Sequence, residues 1–264
     1  MREHDQGPGC HGTGGRGAAA GRTPTVAPKA QRTGESGAGV AVAIVTGASR
    51  GLGRALAAEL AGQGWSVVVS GRDAGALPGP ADIPGVVALA GDVRHARHRA
   101  ALVAAARRLG GLDLLVNNAA VLGAEPLVPL AEQSPAGFRH ALEVNLVAPL
   151  ALVQESLPLL RVSPLGAVLN VSSAAAVETY ATWGAYGATK AGLDLLSGVL
   201  AVEEPELRVW WADPGSMATR MLASAEPDAA LDALPAPEEV APLLLRLVAE
   251  RPPSGRYTAR DLAA

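Results

Sequence analysis

The sequence predicts an α/β fold in a single domain: a doubly wound parallel sheet with helices on both faces. Three observations carry that expectation. Short β-branched apolar runs recur, among them "VAVAIVTG" at 40–47 and "SVVVSG" at 66–71. Alanine- and leucine-rich stretches of helical character separate most of them. A glycine-rich turn, "TGASRGLG" (Thr46–Gly53), joins the first run to the first helix. Unbroken apolar runs suit strands buried on both faces, and strand–helix alternation builds βαβ units.

Taken in order, "VAVAIVTG" is the first strand and "RALAAELAGQG" a helix ending at Gly64. "SVVVSG" is the second strand and "VVALAGD" the third. Between them "RDAGALPGPADIPG" carries three prolines, so this crossover holds one helical turn at best. "RHARHRAALVAAARRLG" reads as a helix and "LDLLVNNAA" as the fourth strand. A long helix follows over Pro135–Leu160, bent near Pro149. "AVLNVSS", "YGATKAGLDLLSGVLAVEE" and "LRVWWADPG" supply strand, helix, strand. "PEEVAPLLLRLVAE" is a late helix and "SGRYTA" a last short strand. Residues 40–264 show no internal boundary.

The first 39 residues differ in kind. Rich in glycine, arginine and alanine and without hydrophobic period, they are expected to be a disordered extension. No signal-peptide core and no uncharged run of transmembrane length occurs, so no membrane association is expected. The chain of 264 residues is 49% hydrophobic and 18% charged, with a net charge of −3. Lacking basic blocks, it is not expected to bind nucleic acid. Cys10 is the only cysteine, which rules out an intrachain disulfide and makes the cytoplasm the expected compartment. The five histidines have no carboxylate spacing that resembles a metal site.

The glycine turn is where function first shows. Gly47, Gly51 and Gly53 let backbone amides approach a pyrophosphate, and a helix N-terminus favours negative charge there. At the first strand–helix junction of a parallel sheet this is a dinucleotide signal. NAD-preferring folds carry an acid after the second strand; this chain has Ser70-Gly71-Arg72, with Asp73 one position late. Arg72, helped by Arg50, pairs with a ribose 2′-phosphate, so NADP(H) is the expected cofactor and NAD(H) the alternative.

A second signal comes from residue usage. Lysine occurs twice, at Lys29 and Lys190, and all other positive side chains are arginine or histidine. Lys190 stands four residues after Tyr186, so on a helix the two share a face. Taken alone, such a pair is more often a solvated surface contact. Beside a dinucleotide site it has a use: a phenol is a poor base at neutral pH, and a nearby ammonium lowers its pKa. Asparagine is equally scarce, at Asn117, Asn118, Asn145 and Asn170.

With these motifs together, residues 40–257 resemble the short-chain dehydrogenase/reductase family, whose members have a single-domain Rossmann fold. "TGASRGLG", "NNAA" at 117–120, "YGATK" and "DPGSMAT" each match a family motif. The resemblance implies a catalytic set of Asn145, Ser173, Tyr186 and Lys190. It selects Ser173 over Ser172 because the family serine lies 13 residues before the tyrosine. The implied cofactor surface takes Gly47, Ser49, Arg50, Gly51, Leu52 and Gly53 from the loop. Arg72, Asp92, Val93, Asn118 and Ala119 extend it. Tyr186, Lys190, Pro214, Gly215, Met217 and Thr219 complete it. No metal is implied.

The implied reaction interconverts a carbonyl and a secondary alcohol with hydride exchange at the nicotinamide. Ser173 holds the substrate oxygen, Tyr186 moves the proton, Lys190 tunes the phenol, and Asn145 continues a water relay. A neutral small molecule is the expected substrate, walled by Val121–Glu125, by Ala174–Trp183 with Tyr180, and by a lid from Met217 to about Pro235. Three alternatives stay open: a 3-oxoacyl carrier-protein reductase, a cofactor-binding regulator without turnover, and an isomerase or dehydratase. The carrier-protein reading is weakened by the altered C-terminal segment and the acidic body. A homodimer or homotetramer is expected, paired through the helices at 135–160 and 186–203.

Overall fold

The computed structural model of the protein describes residues 39–264. The expectation for the N-terminal extension falls, Gly39 apart, outside the described residues. Seven strands follow one another as β1 (Val42–Thr46), β2 (Ser66–Gly71), β3 (Val86–Ala90), β4 (Leu114–Asn117), β5 (Ala167–Val171), β6 (Arg208–Asp213) and β7 (Gly255–Thr258). They form one sheet in the order β3-β2-β1-β4-β5-β6-β7, every neighbouring pair parallel. The order reverses direction between β1 and β4, the crevice where parallel α/β sheets take ligands.

The helices are α1 (Gly51–Gly62), α2 (Ala96–Arg108), α3 (Pro135–Leu142), α4 (Ala148–Leu160), α5 (Gly184–Glu203), α6 (Arg220–Ala225), α7 (Pro237–Glu250) and α8 (Ala259–Ala263). Because side chains alternate along a strand, each strand feeds two cores. Ala43 and Val45 face one core, built with Leu56 and Leu60 of α1 and Leu244 of α7. Val42 and Ile44 face the other, built with Leu102 of α2 and Leu152 of α4. That is why the strands read as unbroken apolar runs rather than alternating ones.

Two expectations need adjustment. The first helix starts at Gly51, not Arg54, so the glycine turn is itself the helix entry. The 135–160 helix is broken earlier than Pro149, by a π-helical turn at Glu143–Val147. Pro149 then lies in the first turn of α4, where it cannot donate to the carbonyl of Asn145 four residues before it. The proline-rich crossover after β2 holds one 3₁₀ turn, Ala74–Ala76, and is otherwise irregular.

Candidate active site

The C-terminal ends of β1, β2, β4, β5 and β6 open into one cleft of about 1000 Å³. All the residues expected to bind cofactor line it, from Gly47 and Ser49 to Met217 and Thr219. Ser173, Tyr186 and Lys190 line it too. Asn145 does not; it lies buried behind the cleft.

The glycine turn is shaped by what presses on it. Gly47 has φ +67°, and a β-carbon there would come within 2.8 Å of the Ala119 Cα. At Gly53 a β-carbon would meet the Asn118 Nδ2 at 2.4 Å. That amide donates to the Thr46 and Gly47 carbonyls at 2.8 and 3.2 Å, tying β4 to the turn. Thr46 Oγ1 accepts from the Asn118 and Ala119 amides. Gly51 (φ +55°) and Gly215 (φ +72°) meet nothing closer than 3.8 Å, so the backbone stays bare on the cleft side. Bare amides at a helix entry fit a pyrophosphate.

At the far end, Arg50 and Arg72 are exposed and line the cleft. The late acid Asp73 also lines the cleft, and its Oδ1 accepts from the Gly75 amide of its own loop at 3.0 Å. Asp92 is gripped by Arg94, whose Nε and Nη2 donate to its carboxylate. That hydrogen bonding lowers the Asp92 pKa to about 2. Arginine forks suit a phosphate on the adenosine ribose, and a fixed carboxylate suits an adenine amino group, so a dinucleotide fits the groups present.

The Tyr186–Lys190 pair is deeply placed. Tyr186 is 7% and Lys190 2% exposed, on the first turns of α5. The ammonium donates to the Val171 carbonyl at 2.6 Å and lies 5.5 Å from the Tyr186 ring centroid. Trp183 stands edge-on to that ring at 5.6 Å. Burial pushes the Lys190 pKa down to about 8, with Asp194 pulling it back up. The expected lowering at Tyr186 is not what the chain alone produces. Burial raises the phenol above its ordinary range, a hydrogen bond with Ser173 lowers it, and Asp213 raises it again. Desolvation and the Asp213 charge act in the same direction and outweigh the hydrogen bond here.

The two serines have different partners. Ser172 Oγ donates to Asp194, whereas Ser173 Oγ faces Tyr186 and accepts from the Ala175 amide. Asn145 is occupied by structure: its Oδ1 accepts from Val121 N, and its Nδ2 donates to Val121 O and Thr189 Oγ1. Thr189 in turn donates to the Tyr186 carbonyl at 2.7 Å, so Asn145 braces the turn that carries the tyrosine. Asn117 and Asn170 form a buried line to Ser197 on α5.

Of the expected substrate wall, Val121, Glu125, Ala174, Trp183, Met217 and Met221 line the cleft. Tyr180 does not; it is exposed, and its hydroxyl donates to Glu178. Sequence reading missed Asp213 and Glu238, which also line it. Asp213 had a signal, an acid immediately before the Pro-Gly turn; Glu238 had none beyond lying in the first turn of α7.

Residues 41–230 match the family model for short chain dehydrogenases. Mouse L-fucose dehydrogenase is 36% identical over 183 residues, which are 67% of this chain and 66% of that one. Mouse sepiapterin reductase is 37% identical over 198 residues, 69% of this chain and 76% of that one. A short chain dehydrogenase from Escherichia coli CFT073, solved with NADPH, superposes with a TM-score of 0.76. It is 30% identical and covers 84% of this chain and 97% of that one. The chain belongs to the short chain dehydrogenase family and is an NAD(P)-dependent oxidoreductase.

The Lys190 environment makes stability pH-dependent in a definite direction. Its folded pKa of about 8 lies below the ordinary 10.5. Below about pH 8 both folded and unfolded chains hold the proton, and the buried ammonium costs stability. From about 8 upward the unfolded chain binds more protons, so this term raises stability, by up to about 1.4 kcal/mol per pH unit. The raised Tyr186 acts oppositely, but only as the unfolded phenol ionises near pH 10. Urea midpoints from pH 7 to 10 test this. Without added nucleotide, wild type should gain on Lys190→Met as pH rises from 8 to 10; parallel curves would mean the ammonium stays protonated throughout.

Proposed function

We propose that the protein is an NADP(H)-preferring oxidoreductase that interconverts a carbonyl and a secondary alcohol at a Ser173–Tyr186–Lys190 site. One observation carries this reading: the body's single lysine is buried beside a buried tyrosine and a serine in the same cleft as the glycine turn. Bound along that cleft, the nicotinamide nucleotide supplies or accepts the hydride. The chain's own residues do the rest. Ser173 Oγ positions the substrate oxygen, and Tyr186 gives or takes its proton. Lys190 supplies positive charge that favours the phenolate form when the proton leaves. Asn145 acts first by bracing the Tyr186 turn; Pro149, which withholds a helical donor from the Asn145 carbonyl, leaves that oxygen suited to a water. A water there would continue the relay.

Cofactor preference rests on Arg72 and Arg50 at the end of the cleft and on the Asp73 carboxylate being held by its own turn. The E. coli structure solved with NADPH supports the same choice. The substrate is a small neutral carbonyl or alcohol, received against Trp183, Met217 and Met221. L-fucose and sepiapterin, from the relatives' names, are the first compounds to try.

A homodimer is the proposed assembly. Leu195, Val199 and Val202 form an exposed apolar stripe on α5, and Val147 and Leu150 are exposed where α4 begins.

Three measurements test these statements. Nicotinamide fluorescence titration should give tighter binding of NADPH than of NADH, with Arg72→Ala weakening NADPH by about tenfold or more and NADH little. Equal weakening of both nucleotides would refute the phosphate role. Tyr186→Phe should lose turnover by about 10²-fold or more while keeping NADPH affinity; near-normal turnover would sink the assignment. By sedimentation, Leu195→Asp with Val199→Asp should convert a dimer to a folded monomer; an unchanged dimer would place the interface elsewhere.

A further inference from the structure

The short strand β7, within "SGRYTA", places Arg256 behind the serine pair. Its Nε donates to Asp194 Oδ2 at 3.1 Å, and its Nη2 donates to the Ser173 carbonyl at 3.1 Å. The same Nη2 lies 3.7 Å from Asp213 Oδ2. Asp194 uses its other oxygen to accept from Ser172 Oγ. The result is a closed ring: the Ser172 side chain, Asp194, Arg256, and back to the Ser173 main chain. Three strand ends, β5, β6 and β7, and the middle of α5 are drawn together by one guanidinium.

Charge makes the ring more than a brace. Two carboxylates, Asp194 and Asp213, stand near Tyr186 and Lys190, and Asp213 disfavours the phenolate. Arg256 is the cation that contacts both carboxylates. Other charged groups lining the same cleft include Lys190 on the helix of Tyr186, Glu125 beyond β4, Arg220 on α6 and Glu238 on α7, with Arg50, Arg72, Asp73 and Asp92 at the nucleotide end.

We propose that Arg256 is a positioning residue for this site: it fixes the Ser172–Ser173 segment and offsets Asp213 and Asp194, lowering the cost of a phenolate at Tyr186. The proposal rests on the acid–base reading of Tyr186. An arginine is suited to both tasks, because its planar fork reaches two acceptors at once.

The test follows Tyr186 ionisation by ultraviolet phenolate absorbance in the full chain saturated with NADP⁺, subtracting the Tyr186→Phe protein. Only Tyr180 and Tyr257 then remain as background. Arg256→Gln should raise the midpoint by about one pH unit, and Arg256→Gln with Asp213→Asn should bring it back towards wild type. Arg256→Lys, which keeps the charge, should shift it less than Arg256→Gln. A purely structural arginine would lower the melting temperature without a midpoint shift that Asp213→Asn reverses. An unchanged midpoint in Arg256→Gln, or a shift that Asp213→Asn leaves in place, overturns the proposal. If Arg256→Gln does not fold, the triple variant that also carries Asp213→Asn and Asp194→Asn is read instead. There a wild-type-like midpoint supports the charge balance and a raised one overturns it. No ionisation signal separating wild type from Tyr186→Phe would overturn the reading of Tyr186 itself, and the proposal with it, a failure distinguishable from the others.

Discussion

The Lys190 ammonium, 2% exposed and donating to the Val171 carbonyl at 2.6 Å, is the constraint around which one end of the cleft is arranged. Taking a charge out of water is costly unless it is paired and hydrogen-bonded. The protein answers with Asp194 one turn along α5, a backbone carbonyl from the end of β5 and the face of Tyr186. Each of these partners then needs holding in turn. Asp194 is held by Ser172 and Arg256, and the Tyr186 turn by Thr189 and Asn145. The polar network thus spreads outward from one buried cation until it reaches β7.

The nucleotide end obeys a different rule. There the decisive feature is close backbone approach, with Gly53 so near Asn118 that no side chain fits between them. Asn118 replaces what a side chain would contribute, by bonding the Thr46 and Gly47 carbonyls. One end of the cleft is therefore specified by a charge that must be satisfied, and the other by space that must stay empty. The switch in strand order between β1 and β4 places both on the same edge of the sheet.

Much of this was legible in the residues. Unbroken apolar runs located β1, β2 and β4 because each strand serves two cores, and glycine spacing located the turn because sterics permit little else. Tyr186 and Lys190 could be paired from helical periodicity alone. Less visible were features created by long-range proximity. The break in the 135–160 helix is a π-helical turn at Glu143–Val147, just before Pro149, where the Asn145 side chain bonds Val121. Arg256 lies 83 residues from the carbonyl it binds, and nothing local to "SGRYTA" announces that contact. The burial of Tyr186 was hidden for a related reason: sequence spacing reveals the neighbouring ammonium but not the depth of burial that opposes it.

The scarcity of lysine has a chemical consequence of its own. In a protein with Lys29 and Lys190 as its only lysines, amine-directed reagents find one side-chain target in the folded body. With a pKa near 8, that amine is nucleophilic under mild conditions, yet it is shielded at the floor of the cleft. An acylating reagent or a reducible Schiff base would therefore mark how often the cleft admits a small molecule, in a chain whose wild-type surface between residues 39 and 264 offers no competing lysine.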